Sequence, residues 1–212
     1  MTIEQNRPWP DDQTLAELVS AAHPRGGDAY ADLLAANRSF QDALSGSSLP
    51  DDELAAVTAK INDITRTLLR FQVPEAERVD GWRLDLPGRG HPLLPPFVIE
   101  EENEGGMRGH VTFTRFYLGG NGAAHGGATP LLFDDLLGKV VNFNHRDGVA
   151  RTAYLTVNYR SIARIGERLQ FEAGVDRIDG RKIWGSARLT TADGTAVADG
   201  EGLFIRLRPG QP

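Results

Sequence analysis

Apolar and polar positions recur with two different periods along the chain, and the period changes close to residue 72. Before that point apolar residues follow helical spacing, which predicts helices over residues 11–22 and 28–44 and a third that opens at Pro50 and stops at Pro74. Acidic residues directly after Pro50 favour a helix start, because the helix dipole is positive there. The apolar stripe of the third helix consists of Leu54, Val57, Ile61, Ile64, Leu68 and Phe71.

Beyond Pro95 apolar residues alternate with polar ones, which is the pattern of half-buried β-strands. Residues 74–96 are rich in proline, glycine and charge, so we expect a connecting loop that crosses the surface. Asp179-Gly180 and Asp193-Gly194 predict hairpin turns, and strands joined by hairpins make an antiparallel sheet. The predicted strands cover residues 97–102, 108–118, 151–160, 168–177, 182–191 and 196–207.

One helix interrupts the strands, over residues 128–143, and it is apolar around most of its circumference. Such a helix must be buried on most sides, and with six strands available the simplest solution is a sheet wrapped around it. The predicted fold class is therefore α+β, with an antiparallel sheet around a central helix. We expect residues 1–90 to form an N-terminal helical extension with its connecting loop, and residues 91–212 to form the sheet-and-helix domain.

Composition and charge exclude several kinds of chemistry. The chain has no cysteine, which rules out disulfides, a thiolate nucleophile and zinc–thiolate sites. A net charge of −6 argues against nucleic acid as a partner. His91 and His110 have no partners at metal-ligand spacing, so no metal is expected. The N-terminal sequence has no signal-peptide pattern and no stretch is apolar enough for a membrane span, so we expect a cytoplasmic protein.

His125-Gly126-Gly127 stands immediately before the predicted central helix. The first amides of a helix lack intrahelical partners and carry partial positive charge. Glycines at that point let a substrate oxygen approach the backbone closely. The motif therefore suits an oxyanion hole for a thioester carbonyl, although a flexible turn with a helix cap is an equal reading of the motif alone.

Two neighbouring acids, Asp134 and Asp135, lie within the central helix. At about 100° per residue, Asp135 falls beside Lys139 on the one polar stripe of the helix. Their i, i+4 spacing predicts a solvated ion pair. Asp134 projects instead from an apolar face, where a carboxylate is costly to bury unless it is used. We expect Asp134 to act as a general base; a structural acid that caps a neighbouring loop is the alternative.

The separation of the two candidate groups indicates a dimer. Gly127 and Asp134 are seven residues apart, which is about 10.5 Å along a helix. One thioester carbon cannot lie about 3 Å from both groups of the same chain. If both groups serve one site, they come from different subunits with antiparallel helices, which predicts composite sites at a two-fold interface.

These motifs also carry a resemblance to a known family. The segment His125–Ala128, an aspartate nine residues after the histidine and Gly138 resemble acyl-CoA thioesterases of the PaaI-like hotdog family. Three further segments are similar to the mammalian long-chain acyl-CoA thioesterases of this fold. They are residues 155–160, 179–182 and 202–205. The resemblance covers about residues 97–207 and implies the hotdog fold, in which an antiparallel sheet wraps around a central helix.

The resemblance implies roles for individual positions. Asp134 would be the general base or the nucleophile, the Gly127 amide would bind the oxyanion in a turn shaped by His125, and Thr152 would help to place the attacking water. Four positions match residues that lie near the CoA moiety in the family. They are Asn158, Arg177, Arg181 and Lys182. Physically, three cations that flank one hairpin suit either a phosphate clamp or a solvated surface turn.

One position departs from the family. Some relatives carry an asparagine six residues before the histidine, whereas this chain has Gly119 there, and its nearest asparagine is Asn121. A second polar contact to the substrate carbonyl is therefore not expected from this position.

The sequence thus predicts hydrolysis of a fatty or aromatic acyl-CoA to free acid and CoA by a homodimer or a dimer of dimers. No metal or redox cofactor is expected. A hydratase of the same fold is disfavoured because Asp134 has no histidine or acidic partner in register. A non-catalytic acyl-CoA sensor, with the N-terminal helices as its output module, is the alternative from another class. Covering an acyl tunnel and enlarging the dimer interface are two further roles that the sequence leaves open for these helices.

Overall fold

The computed structural model describes residues 25–103, 105–142, 149–208 and 211, so the helix predicted over residues 11–22 lies outside the described residues. Among the residues described, two long helices precede the sheet, α1 (Gly27–Ser45) and α2 (Asp51–Leu69), and both confirm the predicted helices within a few residues. α1 is fixed to the later chain by polar contacts. Tyr30 Oη donates to the Gly90 carbonyl at 2.8 Å, and an Asp42 carboxylate oxygen accepts the Phe116 N–H at 2.8 Å.

In the described ranges eight strands follow the helices, six of them in one sheet. They are β1 (Val98–Asn103), β2 (Gly106–Thr112), β3 (Leu118–Gly120), β4 (Ala123–Ala124), β5 (Ala150–Tyr159), β6 (Arg168–Asp179), β7 (Lys182–Thr190) and β8 (Ala196–Arg206). The sheet runs in the order β1-β2-β6-β7-β8-β5 with every neighbouring pair antiparallel, while β3 and β4 form a separate small ribbon. β5 and β1 are the two edges of this sheet.

The strand predicted over residues 108–118 is too long, because the chain leaves the sheet after Thr112. A short 3-10 turn, Arg115–Tyr117, follows and leads into β3. Tertiary contacts explain the break. Phe113 is fully buried, and Asp42 of α1 accepts a hydrogen bond from the backbone N–H of Phe116. The alternation of apolar and polar residues in the sequence continues beyond Thr112, although these contacts bend the chain there.

The central helix, α3 (Ala128–Asn142), packs against one face of the sheet, which confirms the predicted architecture. Leu132, Phe133, Leu136 and Leu137 are fully buried in this core, and burying one such side chain contributes about 1.5–3 kcal/mol. The sheet accepts the helix closely at Gly200, where a Cβ atom would lie 2.8 Å from the Phe133 ring. The strand side of the core consists of Leu169, Phe171, Ile183, Leu189 and Phe204.

Residues 74–96 are not the surface loop that their composition predicted. Arg83 and Leu94 are buried, and the Arg83 guanidinium pairs with Asp85 and donates to the backbone carbonyls of Arg25 and Gly27. Proline, glycine and charge here mark a segment of short 3-10 turns and irregular backbone, whose first residues are exposed and whose later part packs against the helices. The division into residues 1–90 and 91–212 stays a prediction.

No helix in the described ranges has the length and apolar character that crossing a membrane requires. Within the same ranges, no three His, Cys, Asp or Glu side chains are grouped so that they could hold a metal ion. The cytoplasmic location stays a prediction.

Candidate active site

The turn before α3 is held by hydrogen bonds from three directions. The His125 N–H donates to the Tyr117 carbonyl at 2.7 Å, and the Ala128 N–H donates to the His125 carbonyl at 2.8 Å. From β5, the Tyr159 hydroxyl donates to the Gly126 carbonyl. Gly119 permits the close approach of the two strands of this loop, because a Cβ atom there would lie 2.7 Å from the His125 Cα. The position that carries asparagine in some relatives is therefore occupied by a residue needed for packing.

The two glycine amides of the turn differ in their partners. The Gly127 N–H donates to Nδ1 of His125 at 2.9 Å, so the amide that the sequence analysis favoured for the oxyanion is used inside the turn. Because Nδ1 accepts this bond, a neutral His125 ring carries its proton on Nε2. Among the described residues the Gly126 N–H has no hydrogen-bond acceptor, and Gly126 is exposed. Gly126 is thus the amide free to bind an incoming oxygen.

Asp134 lies on α3 and contacts Thr152 of β5. The Thr152 hydroxyl donates to an Asp134 carboxylate oxygen at 2.8 Å. The predicted burial of Asp134 is wrong for the single chain, where the residue is exposed. Its helical neighbours explain this: Gly138 has no side chain and Leu131 is only half-buried, so this side of α3 is left uncovered by the sheet.

A β-bulge brings Thr152 to the helix. Strict alternation along β5 would place Thr152 on the opposite face from Leu155, which packs against the core. The register of β5 against β8 shifts between Thr152 and Tyr154, and the extra residue returns Thr152 to the face that α3 covers. Periodicity alone could not have revealed this pairing of hydroxyl and carboxylate.

Asp135, not Asp134, is the buried acid of α3. Its side chain is 9% exposed, and Arg89 binds both carboxylate oxygens, with Nε at 2.9 Å from Oδ2. Burial raises the pKa of Asp135, and the Arg89 guanidinium opposes that shift. The predicted solvated Asp135–Lys139 pair is therefore wrong. Lys139 is buried too, with Glu102 of β1 as its partner, and burial lowers the pKa of its ammonium group.

Sequence reasoning missed Arg89 and Tyr159. Arg89 adopts a left-handed backbone conformation (φ 57°), which an arginine rarely takes, and it lies in the segment expected at the surface. No pattern in the sequence pointed to it. Tyr159 was part of the segment similar to the family, and alternation from Leu155 and Val157 would have placed it on the helix side of β5.

The basic positions proposed for CoA share one end of the sheet. The Arg177 guanidinium lies 3.8 Å from the centre of the Trp184 ring, and Arg181 Nη1 donates to the Arg206 carbonyl at 2.9 Å. Lys182 is exposed at the start of β7. These three cations flank the β6–β7 hairpin, as the sequence predicted.

Asn158, the fourth of these positions, is not brought near the hairpin in one chain. It donates to Asp199 at 3.1 Å, whereas Lys182 is in register with Ile205 and, across β8, with Arg151. Arg151 and Asn158 are seven residues apart on β5, which is about 23 Å along a strand. A site that uses all four residues would need more than one chain.

Comparisons with known proteins agree with this architecture. The sequence profile of the family described as "Thioesterase superfamily" matches residues 121–198. The acyl-coenzyme A thioesterase THEM4 of Bos taurus is 30% identical over 154 residues, which are 72% of this chain and 63% of the bovine protein. The chain therefore spans less than two thirds of that relative's length.

Solved structures of thioesterase superfamily proteins are also similar to the chain. The crystal structure of RHA08564, a thioesterase superfamily protein, has a TM-score of 0.70 and 32% sequence identity, and the match covers 86% of this chain and 97% of that one. Zebra fish thioesterase superfamily member 2 has a TM-score of 0.50 at 19% identity, over 52% of this chain and 81% of its own, and supports the fold alone. The match to RHA08564 extends over nearly the whole length of that protein. Together with the profile match, the antiparallel sheet and the buried helix, it shows that the chain belongs to the thioesterase superfamily.

Proposed function

We propose that the protein hydrolyses acyl-CoA thioesters to free acid and CoA, with Asp134 as the catalytic carboxylate. The observation that carries this proposal is the Asp134–Thr152 pair, a carboxylate that is accessible on a helix otherwise buried in the core and that is held at 2.8 Å by a hydroxyl on the neighbouring strand. A water molecule bound by both groups would meet a base and an orienting partner together. Membership of the thioesterase superfamily supports the reaction class.

The reaction follows from the roles of the two ends of α3. Asp134 accepts a proton from water as the oxygen attacks the thioester carbonyl, and the resulting oxyanion is stabilised by the Gly126 amide at the helix start. Collapse of the tetrahedral intermediate breaks the carbon–sulfur bond, and the proton passes to the departing CoA thiolate. Direct attack by the Asp134 carboxylate, with hydrolysis of the anhydride afterwards, is the second route that the same geometry allows.

The proposed active unit is a homodimer, because one chain cannot supply both ends of the site. Gly126 precedes α3, and Ala128, the first residue of α3, is six residues from Asp134, about 9 Å along the helix axis. β5 is a ten-residue edge strand whose Tyr154 and Tyr159 are exposed, and such an edge is normally covered. Antiparallel pairing of β5 with its two-fold mate would extend the sheet and bring the start of one α3 towards the Asp134 of the other.

The same pairing accounts for the separated CoA positions. In an antiparallel β5 pair, the Asn158 end of one strand lies beside the Ala150 end of the other, which is the end that carries the β6–β7 hairpin. Arg177, Arg181 and Lys182 of one protomer and Asn158 of its partner would then lie along one path. We propose that the cations bind the phosphates of CoA and that the acyl group is fatty or aromatic.

Turnover of a series of acyl-CoA thioesters from acetyl-CoA to palmitoyl-CoA tests the proposal. We expect release of free thiol, catalytic in protein, with a clear maximum at one class of acyl group. A non-catalytic sensor predicts saturable binding of the same ligands, measured by calorimetry, without thiol release. Binding without turnover across the series would therefore assign the sensor function and reject the hydrolase.

Thr152→Val is expected to lower kcat about tenfold. The substitution keeps the shape of the side chain on β5 but removes the hydroxyl that holds Asp134 and orients water, which is worth about 1–2 kcal/mol. Thr156→Val on the same strand is the matched control and should leave kcat within twofold. An unchanged kcat in Thr152→Val, measured by thiol release at saturating substrate, would remove Thr152 from the mechanism.

A further inference from the structure

α2 is a helix without a partner in the described part of the chain. It buries none of its residues against the described elements, although it is 19 residues long and amphipathic. Six large apolar side chains along it and just beyond its end are between 47% and 72% exposed: Leu54, Ile64, Leu68, Leu69, Phe71 and Val73. An exposed apolar surface of this size on one element usually marks an interaction site.

The apolar stripe of α2 is narrower than the stripe of a helix that packs into a globular core. Leu54, Val57, Ile61, Ile64, Leu68 and Phe71 are separated by three, four, three, four and three residues. That is the a/d repeat of a coiled coil, with a mean period of 3.5 residues, rather than the wider stripe of a helix that lies on a sheet. The pattern indicates another helix as the partner.

We propose that α2 pairs with α2 of a second copy of this chain as an antiparallel two-stranded coiled coil. Charge favours this arrangement. The first turn carries Asp51, Asp52 and Glu53, whereas Arg70 follows the last turn; Arg66, in the second half, is already paired with Asp63. An antiparallel pair brings opposite charges and opposite ends of the two helix dipoles together, while a parallel pair would place three acids beside three acids.

Other helices of the chain fit this acidic start less well. α1 exposes Leu33, Phe40 and Leu44, but its last turn has no basic residue to meet the acids of α2. Residues 1–24 contain four acidic residues and one arginine, so they would add repulsion. The second copy of α2 is the partner whose charges match.

The antiparallel seam predicts which positions meet. Its layers join Leu54 to Phe71, Val57 to Leu68 and Ile61 to Ile64, each residue facing its mate on the other copy. The chain has no cysteine, so thiols can be introduced one at a time without background. Full-length chains that carry either Leu54→Cys or Phe71→Cys are co-expressed with different tags and treated with a short bis-maleimide cross-linker.

The expected result is a cross-linked product between the two different tags, at least tenfold more abundant than the Leu54→Cys product with itself. Ala59→Cys, on the far side of the helix, is the control and should give no more than background. A Leu54→Cys self-product of equal yield would indicate parallel pairing and would reject the proposal, as would the absence of any product. Cross-linking of Phe71→Cys to Leu33→Cys instead would assign the surface to α1 and would also reject it.

Disrupting the seam provides an independent measurement. Ile61→Asp/Ile64→Asp, added to the two cysteine chains, should lower the mixed product at least tenfold, whereas Ala56→Asp/Ala59→Asp adds the same charge on the outer side and should preserve it. Persistent cross-linking in the first variant would overturn the proposal. Both variants should hydrolyse acyl-CoA within twofold of the parent, so a failure of the helix pair is distinguishable from a failure of the proposed enzyme activity.

Discussion

Replacing Asp134 with asparagine is expected to reduce kcat for acyl-CoA hydrolysis by about 10³-fold, because a positioned general base contributes roughly 10²–10⁴-fold. Asparagine keeps the size of the side chain and an oxygen that can accept the Thr152 hydroxyl, so the local structure should survive. What it loses is the ability to take a proton or to attack a carbonyl. KM should change little, since the carboxylate is not needed to bind the substrate.

Asp176→Asn is the matched control for this experiment. Asp176 is also an exposed aspartate whose carboxylate accepts a hydroxyl at 2.8 Å, in this case from Ser186, but it lies on β6 away from α3. Its substitution should leave kcat within twofold. If Asp134→Asn retained more than a tenth of the parent kcat while remaining folded by circular dichroism, the catalytic assignment of Asp134 would be wrong.

The fold could be predicted from the sequence because its main signals are local. The helix from residue 128 is apolar nearly all round, and the Asp179-Gly180 pair marks a hairpin. Each of these follows from the properties of a few neighbouring residues, and the structure confirms both. The family resemblance rested on the same region and is confirmed at the level of the superfamily.

The polar details of α3 could not be predicted because they depend on residues far away in the chain. The helical wheel assigned Asp134 to the buried side and Asp135 to solvent. The structure reverses both, since Arg89 arrives from 46 residues earlier and buries Asp135, while nothing in the described chain covers Asp134. Arg89 depends in turn on a left-handed backbone at Gly88 and at Arg89 itself. A helical wheel compares only the positions within one helix, so it cannot predict which other residues pack against that helix.

These two acids explain how the extension and the candidate site are connected. Arg89 fixes Asp135, and the residue directly before it on the helix, Asp134, is the proposed catalytic carboxylate. Because the Arg89 guanidinium also donates to the Gly81 carbonyl at 3.0 Å, one side chain ties the 81–90 segment to α3 beside Asp134. The segment before the sheet is thus part of the support of the site, whatever the two helices before it do.

Arg89→Met is expected to lower the free energy of unfolding by about 3 kcal/mol at pH 8. Removing one partner of a buried pair typically costs about 3–5 kcal/mol because the other charge stays buried without compensation. The lower end applies here because the Arg89 side chain is itself 32% exposed and partly screened by solvent. Methionine keeps most of the length of the side chain and meets the same left-handed backbone, so the substitution removes chiefly the guanidinium charge and its hydrogen bonds. Urea unfolding at fixed protein concentration measures the difference.

The deficit should shrink as the pH falls from 8 to 5. Burial already raises the pKa of Asp135, the charge of Asp134 adds to this, and loss of Arg89 removes the opposing effect, so the folded-state pKa rises further above the unfolded value. A carboxyl group with a raised folded-state pKa favours the folded state at low pH and opposes it once the pH exceeds that pKa. Protonation of Asp135 therefore removes its unpaired charge in acid. The part of the stability deficit that comes from the lost hydrogen bond to the Gly81 carbonyl does not depend on pH.

Two further variants decide whether the pair itself is responsible. Arg78→Met removes an arginine from the more exposed Arg78–Asp80 pair of the same segment, so its effect should stay below about 1 kcal/mol at both pH values. Arg89→Met/Asp135→Asn removes both charges and should recover at least half of the loss at pH 8. A deficit that is equal at pH 5 and pH 8, and that the second substitution leaves unchanged, would show that Arg89 stabilises the protein by packing and not by compensating the charge of Asp135.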